Sequence, residues 1–157
     1  FAAFPTPADF AAASPEKIAP HLRTLNFWRN KSKSVHGAMT MLMERHGGAV
    51  PDDMESLLAL PGVARKTANV VLGNAFAINV GVVVDTHVGR ISQRFDLTTE
   101  TDPKRIEPHL MALFPRPSWC LLSHLFIFHG RKVCKARGGS CADDAICRRY
   151  CANAVAD

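Results

Sequence analysis

Apolar positions along the chain recur at three- and four-residue spacing, and no segment alternates convincingly with a period of two, so the pattern predicts an all-α protein. After a loop through Pro5 and Pro7, a first helix is expected from near Ala8. Ser14 is placed to cap the next, with Ile18, Leu22 and Leu25 as its apolar stripe. The stretch Asn26 to Lys31 breaks this pattern and sets Phe27 and Trp28 beside polar and basic residues, with Trp28 expected in the core. Lys31 to His46 resumes an amphipathic helix, with Val35, Met41, Leu42 and Met43 inward, and Gly47-Gly48 stops it. Pro51-Asp52-Asp53 opens a short helix, Pro51 at an early helical position, that closes on Leu57, Leu58 and Leu60.

Pro61-Gly62 then interrupts the pattern in a way no helix interior tolerates. Val63, Ala64, Thr67, Ala68, Val70, Val71 and Leu72 resume it, so two helices joined by a tight hairpin are expected over about residues 52–76. The first amides of the second helix lack intrahelical partners and carry the positive end of the helix dipole, a site for phosphate that is blind to base sequence. Gly62, Val63, Ala64 and Arg65 are the candidate contacts. Alanine at position 64 fits if its backbone angles are helical and strains the turn if they are left-handed. Lys66 lies in the first turn beside Arg65, where the dipole and the guanidinium both disfavour an ammonium and favour a neutral, nucleophilic amine. Downstream, Val82-Val83-Val84 reads as a buried approach to Asp85, which is placed to cap a helix starting at Thr86-His87.

Beyond Asp85, Arg90 and Arg94 stand one turn apart, a stripe that is either solvated or phosphate-facing. Asp102-Pro103 begins a helix through Phe114, and Ser118 caps the apolar run from Trp119 to Phe128. His124 and His129 are expected as hydrogen-bonded core histidines and Gly130 as a C-cap. Four of the five cysteines, Cys134, Cys141, Cys147 and Cys151, crowd the final stretch, while Cys120 lies alone. In a chain without the basic-then-apolar order of a secretion signal, such clustering points to metal rather than disulfides, and four thiolates suit an iron-sulfur cluster or a structural zinc. Lys135 and Arg137, with Arg131, Lys132, Arg148 and Arg149, make the surroundings strongly basic, and the first two are candidate phosphate contacts. The net charge of +5 favours a polyanionic partner, either nucleic acid or an anionic membrane surface. A chain of 157 residues with 47% hydrophobic content builds a core, and no apolar run is long enough to span a bilayer, so no membrane location is expected.

The run LPGVARKTANVVL followed by VDTH resembles the helix-hairpin-helix, Gly/Pro/Asp superfamily of DNA glycosylases, and within it the endonuclease III family. The resemblance extends from about Thr6 to the last cysteine. It implies two helical lobes with a DNA-binding cleft, divided here as residues 1–78, with the hairpin, and 79–157, with the cysteine cluster. It also implies a leading part of the family domain missing before Phe1. By the same resemblance Lys66 is the Schiff-base nucleophile, Asp85 the second catalytic residue, and Phe27 an apolar wedge entering the base stack. The four cysteines then hold a 4Fe-4S cluster, although their spacing departs from the family's: aligned on the first pair, Asp144 occupies the place of the third cysteine, whereas with Cys141 and Cys147 aligned as the last family pair one ligand is missing and Cys151 is its replacement. The implied activity is that of a bifunctional DNA glycosylase/AP lyase removing oxidised pyrimidines. Its partner is double-stranded DNA with damaged bases or abasic sites, and the expected form is a cytoplasmic, nucleoid-associated monomer. The alternatives are a non-catalytic helix-hairpin-helix DNA-binding module and an electron carrier.

Overall fold

A computed structural model describes residues 2–137 and 141–151, so residues 1, 138–140 and 152–157, the last two stretches within the expected second lobe, lie outside the described residues. Among the described residues there is no strand. The order is α1 (Pro7–Ala12), α2 (Pro15–Ile18), a 3-10 turn (Ala19–Leu22), α3 (Trp28–His46), α4 (Met54–Ala59), α5 (Arg65–Ala75), α6 (Thr86–Arg94), α7 (Pro103–Leu113), α8 (Trp119–Lys132) and α9 (Ala145–Tyr150), with two further 3-10 turns at Arg116–Ser118 and Cys141–Asp143. The chain divides into two compact units, 1–68 and 69–157, with the boundary inside α5.

In the first unit, α1, α2 and the 3-10 turn pack on α3. Thr6 and Asp9 close a reciprocal capping box at the start of α1. Gly47 ends α3 in the left-handed conformation at φ 59°, as the pair of glycines predicts. The hairpin is seated on α3 through small residues three apart. A Cβ at Gly37 would lie 3.2 Å from Pro61, and a Cβ at Gly62 would collide with Ser34. Three expectations are corrected here. Asp53, not Pro51, starts α4, because its side chain accepts from the Ser56 amide at 2.8 Å and leaves Pro51 in the preceding loop. Leu25 and Met43 are exposed rather than inward, lying beyond what α1 and α2 cover. Trp28 is only half-buried, since it occupies the exposed start of α3.

In the second unit, Val82, Val84, Val88, Ile106, Leu110 and Leu122 form one core cluster, extended by edge-on contacts among Phe95, Phe114 and Phe126. Val82, Val83 and Val84 are all buried, and the Val83 amide donates to Ser123 Oγ at 2.9 Å. A second core cluster comprises Ile91 with Cys134, Cys147 and Cys151. Gly130 is not a C-cap: α8 runs on to Lys132, and Gly130 is buried where a Cβ would press on His87 and Arg90. His124 is exposed rather than core, though its Nε2 meets Asn74 Oδ1 at 2.7 Å.

Candidate functional site

The hairpin joining α4 to α5 is a type II turn. Pro61 supplies its first central residue, Gly62 its second at φ 78°, and the Val63 amide closes it on the Leu60 carbonyl at 3.1 Å. The turn consumes the Val63 N–H, which leaves the outward amides to the residues around it. Ala64 is not among the residues of positive φ, and its carbonyl accepts from the Ala68 amide at 3.0 Å. Its methyl group therefore costs the turn nothing. Arg65 opens α5, and Lys66 follows it, exposed on the first turn.

Asp85 caps α6 as expected. Its Oδ1 accepts from both the His87 and Val88 amides at 2.8 Å, while Oδ2 has no hydrogen-bond partner among the described residues. The side chain is half-buried at the end of the valine run. One oxygen is therefore spent on capping the helix, and the other stands apart from that cap.

Phe27 is held at φ 58°, ψ 32°, an unusual conformation for an aromatic residue, and its side chain is 80% exposed directly before α3. Strain at an exposed apolar residue gives the chain no packing in return, which is the pattern of a group kept for a partner.

Arg90 and Arg94 are the residues whose role the sequence left open. They form neither a solvated nor a phosphate-facing stripe. Arg90 Nη2 donates to the carbonyls of Gly130 and Cys134 at 2.8 and 3.0 Å, and Arg94 Nη1 donates to Cys134 Sγ at 3.0 Å and to the Lys135 carbonyl at 2.8 Å. The helix that Asp85 caps thus carries, one and two turns on, the two side chains that hold the start of the cysteine loop. Their i, i+4 spacing after the capping aspartate was the available signal.

The sulfurs of Cys134, Cys141, Cys147 and Cys151 all lie within 4.8 Å of one another. Cys134, Cys147 and Cys151 are buried and Cys141 half-buried. Asp144 is outside this four-sulfur set. It caps α9, with Oδ1 accepting from the Ile146 and Cys147 amides at 3.0 and 2.9 Å, and so aims the helix that presents Cys147 and, one turn later, Cys151 from the same face. Burial pushes the Cys141 and Cys147 thiols up; at Cys134 burial pushes the same way, but the Arg94 guanidinium and the neighbouring cysteines Cys141 and Cys151 together hold the thiol below its ordinary value. At Arg94 burial opposes the charge, yet the cysteines keep it above the usual range. A positive metal centre would favour the thiolates of this set together, and the donor set fits one. Lys135 and Arg137 are exposed on the loop that begins at Cys134. No helix among the described residues is long and apolar enough to cross a membrane.

An all-helical fold with a helix-hairpin-helix, a lysine on its second helix, a capping aspartate and a four-cysteine loop defines a class of DNA repair protein. Residues 1–116 match the family described as HhH-GPD superfamily base excision DNA repair protein, and the chain belongs to that family. It is 49% identical over 143 residues to Endonuclease III of Synechocystis sp., covering 91% of this chain and 65% of that protein. It is 38% identical over 144 residues to Endonuclease III of Bacillus subtilis, again covering 91% and 65%. The chain thus spans about two thirds of these relatives. Among solved structures it is similar to a non-covalent Endonuclease III-DNA complex, with a TM-score of 0.90 at 35% identity over 98% of this chain and 72% of that one. A trapped Endonuclease III-DNA covalent intermediate, described as an estranged-adenine complex, matches with the same values.

Proposed function

We propose that the chain carries the catalytic part of a bifunctional DNA glycosylase/AP lyase that removes oxidised pyrimidines from duplex DNA and nicks the strand by beta-elimination. The observation that carries the reading is local. Lys66 stands exposed on the first turn of α5, directly after a glycine-dependent turn, and Asp85 is fixed by its own helix with one carboxylate oxygen left over. The relatives add that a covalent protein-DNA intermediate has been trapped for an Endonuclease III.

In this reading the outward hairpin amides on either side of Val63, with Arg65 beside them, hold a phosphate, Lys135 and Arg137 hold others, and Phe27 enters the stack beside the extruded nucleotide. Asp85 Oδ2 stabilises the positive charge that develops on the sugar as the bond to the base lengthens. Lys66 Nζ attacks the anomeric carbon, the base leaves with that bond's electron pair, and loss of a proton and ring opening give an imine. Removal of the adjacent sugar proton then expels the 3′ phosphate. Cys134, Cys141, Cys147 and Cys151 would hold the 4Fe-4S cluster, which supplies a rigid tie for the Lys135–Arg137 loop. A zinc ion in the same sulfurs is distinguished by metal analysis and by the absence of visible absorption.

The test is borohydride trapping on a duplex with an abasic site. The chain as given forms a covalent adduct, and Lys66→Ala forms none while retaining salt-sensitive DNA binding. Nicking by the purified Lys66→Ala protein refutes the assignment. Binding without any adduct from either protein favours the non-catalytic DNA-binding module instead.

A further inference from the structure

A second concave site lies wholly within the first unit, between α2, the following 3-10 turn and the first turns of α3. Its volume is about 270 Å³, and its lining includes Glu16, Arg23, Trp28, Arg29, Ser32 and Lys33. Three cations face one carboxylate there. The Arg29 guanidinium lies 4.1 Å from the Trp28 ring centroid, forming a flat cationic platform. Ser32 is 2% exposed and spends its hydroxyl proton on the Arg29 carbonyl at 2.8 Å, which fixes the first turn beneath that platform.

The charge order of α3 is the reverse of what a free helix start prefers. No acid lies in its first turn and no side chain caps it at Phe27, yet Arg29, Lys31 and Lys33 fill its first two turns. An anion placed among these cations relieves that arrangement. Glu16 cannot be that anion for all of them. Its carboxyl is held below the ordinary value first by its own backbone amide and then by the Ser14 hydroxyl, with Lys33 adding a longer-range contribution. Glu16 is the carboxylate on the wall of the pocket, exposed to what enters it. A separate concavity is lined by Phe27, Trp28, Arg29 and Asn30, so the strained, exposed phenylalanine and the pocket share Trp28 and Arg29.

An aromatic-cationic stacking surface, cations at phosphate reach and a carboxylate that can accept from a base edge together suit a nucleotide outside a duplex. We propose that this pocket is a subsite for one unstacked nucleotide, its base on the Trp28–Arg29 platform, its phosphate on Arg23 and Lys33, and an exocyclic amino group donating to Glu16. Cytosine presents such a group and thymine, of the same size, presents an acceptor oxygen at that position instead. The pocket therefore prefers cytosine to thymine. The proposal rests on the reading that the chain handles DNA, and it assigns the pocket no part in bond breaking.

The test uses the Trp119→Phe protein, which leaves Trp28 as the only tryptophan of the two in the sequence. Its emission is followed while short single-stranded dC or dT oligonucleotides are added at fixed salt. Stacking quenches Trp28, and dC binds about tenfold more tightly than dT, the worth of one hydrogen bond to a charged acceptor. Glu16→Ala brings dC to the level of dT, whereas Arg23→Ala and Lys33→Ala weaken both equally, as phosphate contacts do. Unchanged emission, or equal affinity for dC and dT in the parent protein, overturns the proposal. Adduct formation at Lys66 without a Trp28 response removes the pocket and keeps the lyase. A cytosine-selective response without an adduct does the reverse.

Discussion

Gly62→Ala tests the physical account of the hairpin most directly. Two separate costs apply at this position. At φ 78° an L-residue sits in the left-handed region, which costs about 1–2 kcal/mol. The added Cβ would also lie 2.6 Å from Ser34 Cβ and 2.7 Å from its Oγ, so α3 or the turn must move, at an overpacking cost of about 1–3 kcal/mol. Together the substitution costs about 2–5 kcal/mol. Ser34→Gly removes the obstacle but not the backbone conformation, and alone costs about 0.5 kcal/mol through helix propensity. In a double-mutant cycle read by urea unfolding, Gly62→Ala and Ser34→Gly should couple favourably by about 1–3 kcal/mol, the clash portion alone. DNA affinity should fall with Gly62→Ala and recover in part in the double variant, because the amides are presented by the same turn. Additivity within about 0.5 kcal/mol would show that the hairpin does not rest on Ser34 and would refute the reasoning.

Phe27→Gly removes an exposed side chain and a left-handed strain together, so thermal stability should hold or rise by up to about 1 kcal/mol while cleavage of damaged duplex falls; a clear loss of stability would show that Phe27 is a packing residue. Arg94→Leu deletes the donor to Cys134 Sγ and the Lys135 carbonyl, and a charge-assisted bond of about 1.5–3 kcal/mol predicts roughly ten- to hundredfold faster metal loss to a chelator, with unchanged loss rates counting against the bracing role. Asp53 is held below its ordinary value of 3.8, first by the Ser56 amide and then by the Ser56 hydroxyl. Its folded value being depressed, its contribution is fully present above pH 3.8 and is lost as pH falls through the depressed value. Asp53→Asn should therefore flatten the acid limb of the stability profile, and an unaltered limb would contradict the cap.

The two arginines of α6 connect the parts of this protein. In the second unit, Asp85 starts the helix, Arg90 and Arg94 continue it, and both reach the loop from Cys134 onward. The four-sulfur site is thus tied by hydrogen bonds to the helix that Asp85 caps. The basic residues Lys135 and Arg137 lie at the point where that bracing ends.

The sequence by itself determined what depends on neighbours along the chain. Apolar spacing set the helices, Pro61-Gly62 set the turn, and an aspartate before Thr86-His87 set the cap, since backbone geometry and local hydrogen bonds are decided within a few residues. Only the tertiary structure decided the rest. Which hydrophobic residues stay out, as Leu25 and Met43 do, depends on how far a short neighbouring helix reaches. Whether Gly130 ends a helix or admits another depends on α6 lying against it. Whether Arg90 and Arg94 face water or carbonyls depends on a loop forty residues further on. Cys151 joins the other three sulfurs because a helical turn, started by Asp144, brings it one turn beyond Cys147. Contacts between residues distant in sequence are fixed by packing, and packing is a property of the folded chain.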